Sequence, residues 1–362
     1  MSDTALSQGC PDTGPEKSSS PYSPEMREEI KQIAKHCEEY KTAEHSKAIF
    51  QLLNTFVPFF IICAIMLASF ESAYWLTALL TIPAAGLLVR IFIIQHDCGH
   101  GSFTNARKWN NRIGRVCSLL TWTPYDFWRK THNMHHADSG NLEKRGYGAI
   151  ETVTVAEYEA MSPRMRFWYR IYRNPVVMLV FGTPIFIIAG QRFAIAEPFP
   201  FVEVSKSLER RHIWRSVYGT NISLLLLYGG LGLVFGFGPV LLTYLPIVVM
   251  TAWGGGWLFY IQHQFEDTYW QHQENWSYHE AAVLSSSYYD LPKVLQWFTG
   301  NIGLHHIHHL SAKIPNYRLQ DCMDAYPVLK DINRITFLES LKCTRLALWD
   351  EGKNKLVGFP AG

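Results

Sequence analysis

Fifteen histidines are spread unevenly along the chain, and most of them fall in three clusters. His96 and His100 stand four apart in HDCGH. His132, His135 and His136 occupy i, i+3 and i+4 in HNMHH, and His305, His308 and His309 repeat that spacing in HHIHH. On a helix such positions share one face, so each cluster can aim several imidazoles at one point. A single pair four apart is weak evidence, because chance supplies it. A repeated H-x-x-H-H spacing beside a third pair is strong evidence. Neutral imidazole is a good ligand for iron, copper and zinc. Eight or nine imidazoles are too many for one ion, so two metals are implied. Thiolates are missing from matched positions, which argues against cysteine-rich structural zinc. An all-nitrogen two-metal site suits dioxygen activation, which bundle-type di-iron proteins perform with mostly carboxylate ligands.

These clusters need elements to hold them, and the apolar residues supply long ones. Crossing about 30 Å of hydrocarbon takes roughly 20 residues. Four segments qualify: 49–69, 74–94, 217–237 and 239–261. The first two form one hairpin and the last two another. Six Lys/Arg precede the first span, sixteen lie between Gln95 and His212, and nine follow Gln262. The two hairpin loops hold none, so the polar mass lies on one side, which the positive-inside rule makes cytosolic. Pro175 to Gly190 is apolar but short and interrupted by Gly182 and Pro184. If it crossed, His136 and His305 would lie on opposite faces. It is therefore expected to be interfacial or re-entrant. A second interfacial helix is expected near Val116 to Trp128.

The expected fold is all-α and integral to the membrane: about four transmembrane helices in two hairpins, interfacial helices, and a cytosolic histidine-rich helical cap. The expected organisation is a disordered tail (1–24), an amphipathic N-terminal helix (25–48), a membrane domain (49–325) and a cytosolic C-terminal segment (326–362). The tail is rich in Ser, Pro and Gly and lacks the apolar run of a signal peptide. Both termini are expected in the cytosol. The net charge of +2 gives no general attraction to nucleic acid. Seven cysteines, an odd number without a C-x-x-C pair, read as reduced thiols.

The stretches HDCGHGSF (96–103), HNMHHADSGNLEK (132–144), QHQFEDTYW (262–270) and HHIHHLSAKIPNYRL (305–319) resemble the membrane fatty acid desaturases, most closely the Δ12/ω-6 type. The resemblance covers roughly residues 50–325. It implies two iron ions and dioxygen as co-substrate. Carried over residue by residue, the ligands are His96, His100, His132, His135, His136, His305, His308 and His309, with His263 as one more before the third box. His306 points to another helix face and is expected behind the ligands, as are Asp97, Asp138 and, through a metal-bound water, Asn301. Asp126, Glu143, Glu266 and Asp267 are further carboxylates near the boxes. Metal-bound imidazoles usually pass their other N–H to such groups.

The implied reaction removes two hydrogens from adjacent methylenes of an acyl chain on a glycerolipid, CoA or acyl carrier protein. No H-P-G-G haem run occurs, so electrons are expected from a separate ferredoxin-like or cytochrome b5-like carrier. The basic run Arg107, Lys108, Arg112, Arg115, Arg129 and Lys130 could steer an acidic carrier or meet anionic lipid. Gly254, Gly255 and Gly256 either let helices approach or line an acyl groove, and Trp122, Trp128, Trp253 and Trp257 are groove or belt residues. An acyl hydroxylase, acetylenase or carotenoid oxygenase would share the site. A histidine-rich metal transporter or sensor is the reading from another class, and it would want ligands inside the spans.

Overall fold

A computed structural model describes residues 23–194, 201 and 208–360. Apart from Ser23 and Pro24, the tail expected to be disordered lies outside the described residues. The chain begins with α1 (Pro24–Cys37), whose N-terminus is capped by the Ser23 side chain. Helices α2 (His45–Ala68) and α3 (Tyr74–His100) follow as a hairpin, closed where the Thr77 hydroxyl donates to the Met66 carbonyl. Then come α4 (Arg107–Thr121), α5 (Tyr125–Asp138), α6 (Val155–Ala160) and α7 (Pro163–Tyr172). A π-helical turn, Val176–Gly182, runs into α8 (Thr183–Ile188). Helices α9 (Arg210–Phe235) and α10 (Phe237–His263) form the second hairpin, turning at Gly236. The remainder is built of short helices: α11 (Tyr278–Leu284), α12 (Lys293–Phe298), α13 (His305–Leu310), α14 (Asn316–Ala325) and α15 (Phe337–Cys343).

Five short strands tie these pieces together. β1 (Val153–Thr154), β4 (Leu348–Asp350) and β5 (Lys355–Val357) make a small sheet, with β4 parallel to β1 and antiparallel to β5. β2 (Tyr288–Asp290) and β3 (Arg334–Thr336) pair in parallel. The mostly helical architecture agrees with the expectation, and four helices are long and apolar enough to cross a membrane. They are α2, α3, α9 and α10. α3 is the most enclosed and α9 the least, with Leu225, Leu226, Leu233 and Val234 turned outward. Such a surface suits lipid, which imposes no penalty on exposed apolar side chains.

Three boundaries differ from the expectation, each for a tertiary reason. The N-terminal helix stops at Cys37, because the chain at Ala43 and Glu44 is pinned by Asn105 and by the Tyr317 hydroxyl. Its apolar face (Ile30, Ile33, Cys37) packs behind the third histidine box with Leu304, Ile307 and Ile314. Helices α3 and α10 continue past the apolar runs to His100 and His263. The first box is thus the last turn of a spanning helix, which Gly101 ends in the left-handed region at φ 68°. The segment near Val116 to Trp128 is not one helix. It is broken at Trp122, which has φ 55°, and α5 starts after Pro124.

The stretch from Pro175 to Gly190, expected to be interfacial or re-entrant, is part of a bent apolar pair of helices, which counted as one span would make a fifth. α7 and the following helical run meet at a 55° bend. On entry, Tyr172 accepts a hydrogen bond from the Glu151 amide. On exit, Arg192 donates to Asn221 in the first half of α9 and to the Trp122 carbonyl. The exit thus meets α9 near its middle. The segment is held against α10 by Trp253, whose indole N–H donates to the Val180 carbonyl at 2.9 Å. A Cβ added to Gly256 would stand 2.3 Å from the Thr183 methyl, whereas one on Gly255 would meet open space. Gly256 thus serves close approach of the bent apolar segment.

Gly256→Ala should push that helix away and cost about 1–3 kcal/mol through overpacking. Thr183→Ala in the same chain should restore part of the loss. Thermal unfolding of the two single variants and the double variant in detergent checks this; additive losses would contradict the contact.

Candidate metal centre

Four elements converge at the histidines. His96 and His100 come from the end of α3, His263 from the end of α10, the second box from α5 and the third from α13. The third box is fixed by contacts at its entry. The Tyr289 amide donates to the Gly303 carbonyl at 2.7 Å, and the Gln262 side chain donates to the Ile302 carbonyl at 2.9 Å. The entry to α13 is thereby fastened to both β2 and the end of α10. Gly140, at φ 70°, turns the chain after the second box. A Cβ there would stand 2.9 Å from the Tyr269 carbonyl oxygen.

All nine histidines expected as ligands come together, in two groups. His96, His100, His132, His136 and His308 form one, and His135, His263, His305 and His309 form the other. In each group the ligand nitrogens lie within 4.8 Å of one another. Helical geometry explains the sorting. His132 and His136 are four apart and share a face, while His135 projects to the side. His305 and His309 are likewise four apart, and His308 projects into the other group. The groups adjoin, since the rings of His136 and His309 stack with centroids 4.0 Å apart.

The donor set fits metal ions. The Nε2 atoms of His135 and His263 lie 3.0 Å apart, and those of His263 and His305 3.1 Å apart. In the other group His136 Nε2 stands 3.1 Å from both His132 Nε2 and His308 Nε2. With bonds of about 2.1 Å to one ion, ligands at right angles stand about 3.0 Å apart. The Nε2 atoms of His96, His100 and His309 are buried without a hydrogen-bond partner. An orphaned polar atom of this kind is costly, and a bound cation removes the cost.

Several rings are oriented from behind. His96 Nδ1 donates to Asp97 Oδ1 at 3.1 Å, leaving Nε2 to face the group. Asp97 Oδ2 in turn accepts from the Asn316 amide at 2.6 Å and its side chain at 2.8 Å. His263 Nδ1 donates to the Ser285 carbonyl at 3.0 Å. Trp128 stacks on His132, with ring centroids 4.6 Å apart. Asn316 and Ser285 were missed as site residues. Asn316 lies in the I-P-N-Y tail that carries the resemblance, while Ser285 has no signal at all.

The other flagged residues sit elsewhere. His306 is buried but belongs to neither group, and its Nε2 donates to the Leu329 carbonyl at 2.9 Å. The Asn301 side chain donates to the Asn316 carbonyl at 3.4 Å. Asp138 lines a cavity beside His135. Asp126 pairs with Arg115 and Arg129, and Glu266 and Asp267 pair with Lys355. Glu143 meets His272, which also bonds Glu351. His272 thus links the tail of the second box to the C-terminal segment, and these hydrogen bonds push its pKa up.

A small, partly open pocket adjoins the second group. Met134, Tyr147, Ile150, Phe259 and Trp270 line it together with His135 and His263. Phe259 packs against both of those rings. The arrangement can hold metal at one end of a small pocket whose wall joins these apolar side chains to Asp138, Lys144 and Arg145.

Burial, then the neighbouring imidazoles, hold His132, His135, His136, His305, His308 and His309 well below the ordinary imidazole pKa. They stay neutral, the form that binds metal. Below about pH 6.5 the unfolded chain takes up protons that the folded chain refuses, so stability falls as pH falls. Thermal midpoints of the purified protein should therefore drop between pH 7 and pH 5, while metal bound to the folded protein should stay over that range, because the rings remain neutral there. A flat profile would contradict the buried, neutral cluster. Asp97→Asn should weaken metal binding about 10–100-fold, read as metal retained after dialysis against a chelator.

Comparison with known proteins points to the same chemistry. A family model described as fatty acid desaturase matches residues 73–332. A fatty acid desaturase of Bacillus subtilis (strain 168) is 44% identical over 331 residues, 91% of each chain. An endoplasmic-reticulum omega-3 fatty acid desaturase of Vigna radiata var. radiata is 26% identical over 297 residues, covering 79% of this chain and 73% of its own. A Δ9 fatty acid conjugase-like enzyme of Dimorphotheca sinuata is 29% identical over 282 residues, covering 74% of this chain and 72% of its own. With a family match over most of its length and a relative this similar, the chain belongs to the fatty acid desaturase family.

Proposed function

We propose that the protein is a dioxygen-dependent acyl desaturase of the Δ12/ω-6 type, with two irons held by the nine histidines. The convergence of those histidines into two adjoining groups beside a small, partly open pocket carries the reading. His96, His100, His132, His136 and His308 hold one iron, and His135, His263, His305 and His309 hold the other. When bound, the irons supply the dioxygen chemistry that takes hydrogen atoms from unactivated methylenes, which no side chain can do alone.

The chain's own residues position and protect. Asp97 and the Ser285 carbonyl fix ring orientation, so each Nε2 presents its lone pair. Phe259, Ile150 and Met134 give the pocket beside His135 and His263 its apolar wall. Asn316 anchors Asp97 and ties the third box to the first. Electrons come from an external ferredoxin-like or cytochrome b5-like carrier. The exposed basic residues of α4, Arg107, Lys108, Arg112 and Arg115, give an acidic carrier a place to dock. The distribution of Lys and Arg supports placing the site and both termini in the cytosol.

The Δ12/ω-6 assignment rests on the flanking sequences of the boxes. The relatives bear other names, omega-3 desaturase and conjugase-like enzyme among them, so the product decides the position. A transporter or sensor would hold its ligands within the spans. Here they sit at the ends of α3 and α10 and on short helices beyond them.

Expression in a host lacking its own desaturases, followed by mass spectrometry of the membrane lipids, tests the reading. The expected product is an acyl chain lighter by two hydrogens. A chain heavier by one oxygen would make the protein a hydroxylase. His135→Ala and His308→Ala, one from each group, should each abolish product while the protein still enters the membrane. Full activity in either variant would sink the ligand assignment.

A further inference from the structure

The parallel pairing of β2 with β3 sets Tyr288 opposite Arg334, Tyr289 opposite Ile335 and Asp290 opposite Thr336. Each strand runs almost directly into a short helix, β2 into α12 and β3 into α15. Because the strands are parallel, both helices leave the same edge of the pair. α12 lies deep along the bundle. A Cβ on Gly86 would stand 2.7 Å from the Phe298 ring, and the Arg90 guanidinium sits 4.3 Å from the centroid of Trp297. Gly86 is about 15 Å before His96 along the α3 axis at 1.5 Å per residue, within the apolar part of that helix. α12 therefore reaches the hydrocarbon level of the leaflet on the histidine side.

α15 is fixed at its inner face. Ser340 Oγ bonds the Tyr289 hydroxyl at 3.1 Å, and that hydroxyl also accepts from the Trp257 indole on α10 at 3.1 Å. Its outer face is apolar and bare: Leu338 is 72% exposed, Phe337 54% and Leu341 48%. On α12, Val294 is 67% exposed and Leu295 46%. Glu339, the one acidic residue of α15, is turned back onto the Thr336 amide in a capping box. Lys293 and Lys342 lie at the helix ends, where long basic side chains can reach headgroups.

This face is continuous with the lipid-facing surface. A shallow apolar groove joins Val176, Leu179 and Val180 of the bent apolar segment, Trp253 and Trp257 of α10, and Thr344 directly after α15. Apolar patches of this extent are uncommon on surfaces facing water, and an apolar face with flanking lysines is the pattern of helices lying in the interface.

We infer that α12 and α15 form a membrane seat, with Val294, Leu295, Phe337, Leu338 and Leu341 inserted among lipid acyl chains of the leaflet on the histidine side. The C-terminal segment is then partly embedded rather than wholly aqueous, and it holds the histidine cap down on the bilayer at a second place besides the spans. The inference is independent of the product formed.

The test uses the full-length protein in phosphatidylcholine–phosphatidylglycerol nanodiscs. Spin labels are placed at Val294→Cys and Leu338→Cys, with Asp331→Cys as an exposed reference. Collision with dioxygen, relative to a water-soluble nickel chelate, should be severalfold higher at 294 and 338 than at 331. Equal ratios at all three positions would overturn the seat. Spin–spin broadening at 338 that vanishes on dilution with unlabelled protein would assign the face to a second copy instead. Should the cysteine variants fail to assemble, a lipid-soluble carbene precursor applied to the unaltered protein gives the same reading. Peptides covering 293–298 and 337–343 should carry the adduct, and their absence from the modified set would also overturn the inference.

Discussion

Nine imidazoles meeting in a buried volume is the constraint on which the rest of this structure depends. Away from water, an imidazole nitrogen needs a partner, and a protonated ring beside others is repelled. The fold answers both demands by keeping the rings neutral and aiming their lone pairs inward. Nothing about this gathering is locally stable. The rings come from four places far apart in sequence, so the surrounding scaffold has to hold them before any metal is bound.

The scaffold does so by making the ends of two spanning helices into ligand carriers. α3 and α10 run side by side, with the Thr251 hydroxyl donating to the Ala85 carbonyl and Gly254 facing Val89. Their last turns therefore reach the same level. α5 and α13 are then laid across those ends, α13 tied at its entry by the Tyr289 amide and the Gln262 side chain, and α5 just beyond its end by the Gln271 backbone. Such ties leave little freedom, which suits a site whose ligands must keep a fixed geometry. α1 adds an apolar cover behind the third box, joining the N-terminal part of the chain to the same core.

The bilayer shapes what is left. The bent apolar segment between α7 and α9 is covered by α10: Trp253 satisfies the Val180 carbonyl, and Gly256 lets the helix sit close. The same region borders the apolar groove and the short helices α12 and α15. The side of the molecule that carries the chemistry thus also carries most of its irregular structure. An acyl substrate belongs to the bilayer, and a site at the ends of spanning helices places oxidising chemistry beside it without opening the hydrocarbon core to water.

Much of this was legible in the residues. Helical spacing of three and four is a local property, so the boxes and their shared faces could be read directly. Apolar length is also local, and it marked out the four long apolar helices. The tertiary structure alone divided the nine histidines between two groups. Spacing within a helix pairs His132 with His136 and His305 with His309, but which histidines each pair meets depends on how α5 and α13 are rotated against α3 and α10. It also turned Asn316 and Ser285 into supports for the rings, because hydrogen bonds between segments far apart in sequence leave no periodic trace. Helices as short as α12 and α15 carry too few residues for a pattern to emerge, and their outward apolar faces became visible only once a parallel strand pair set them side by side.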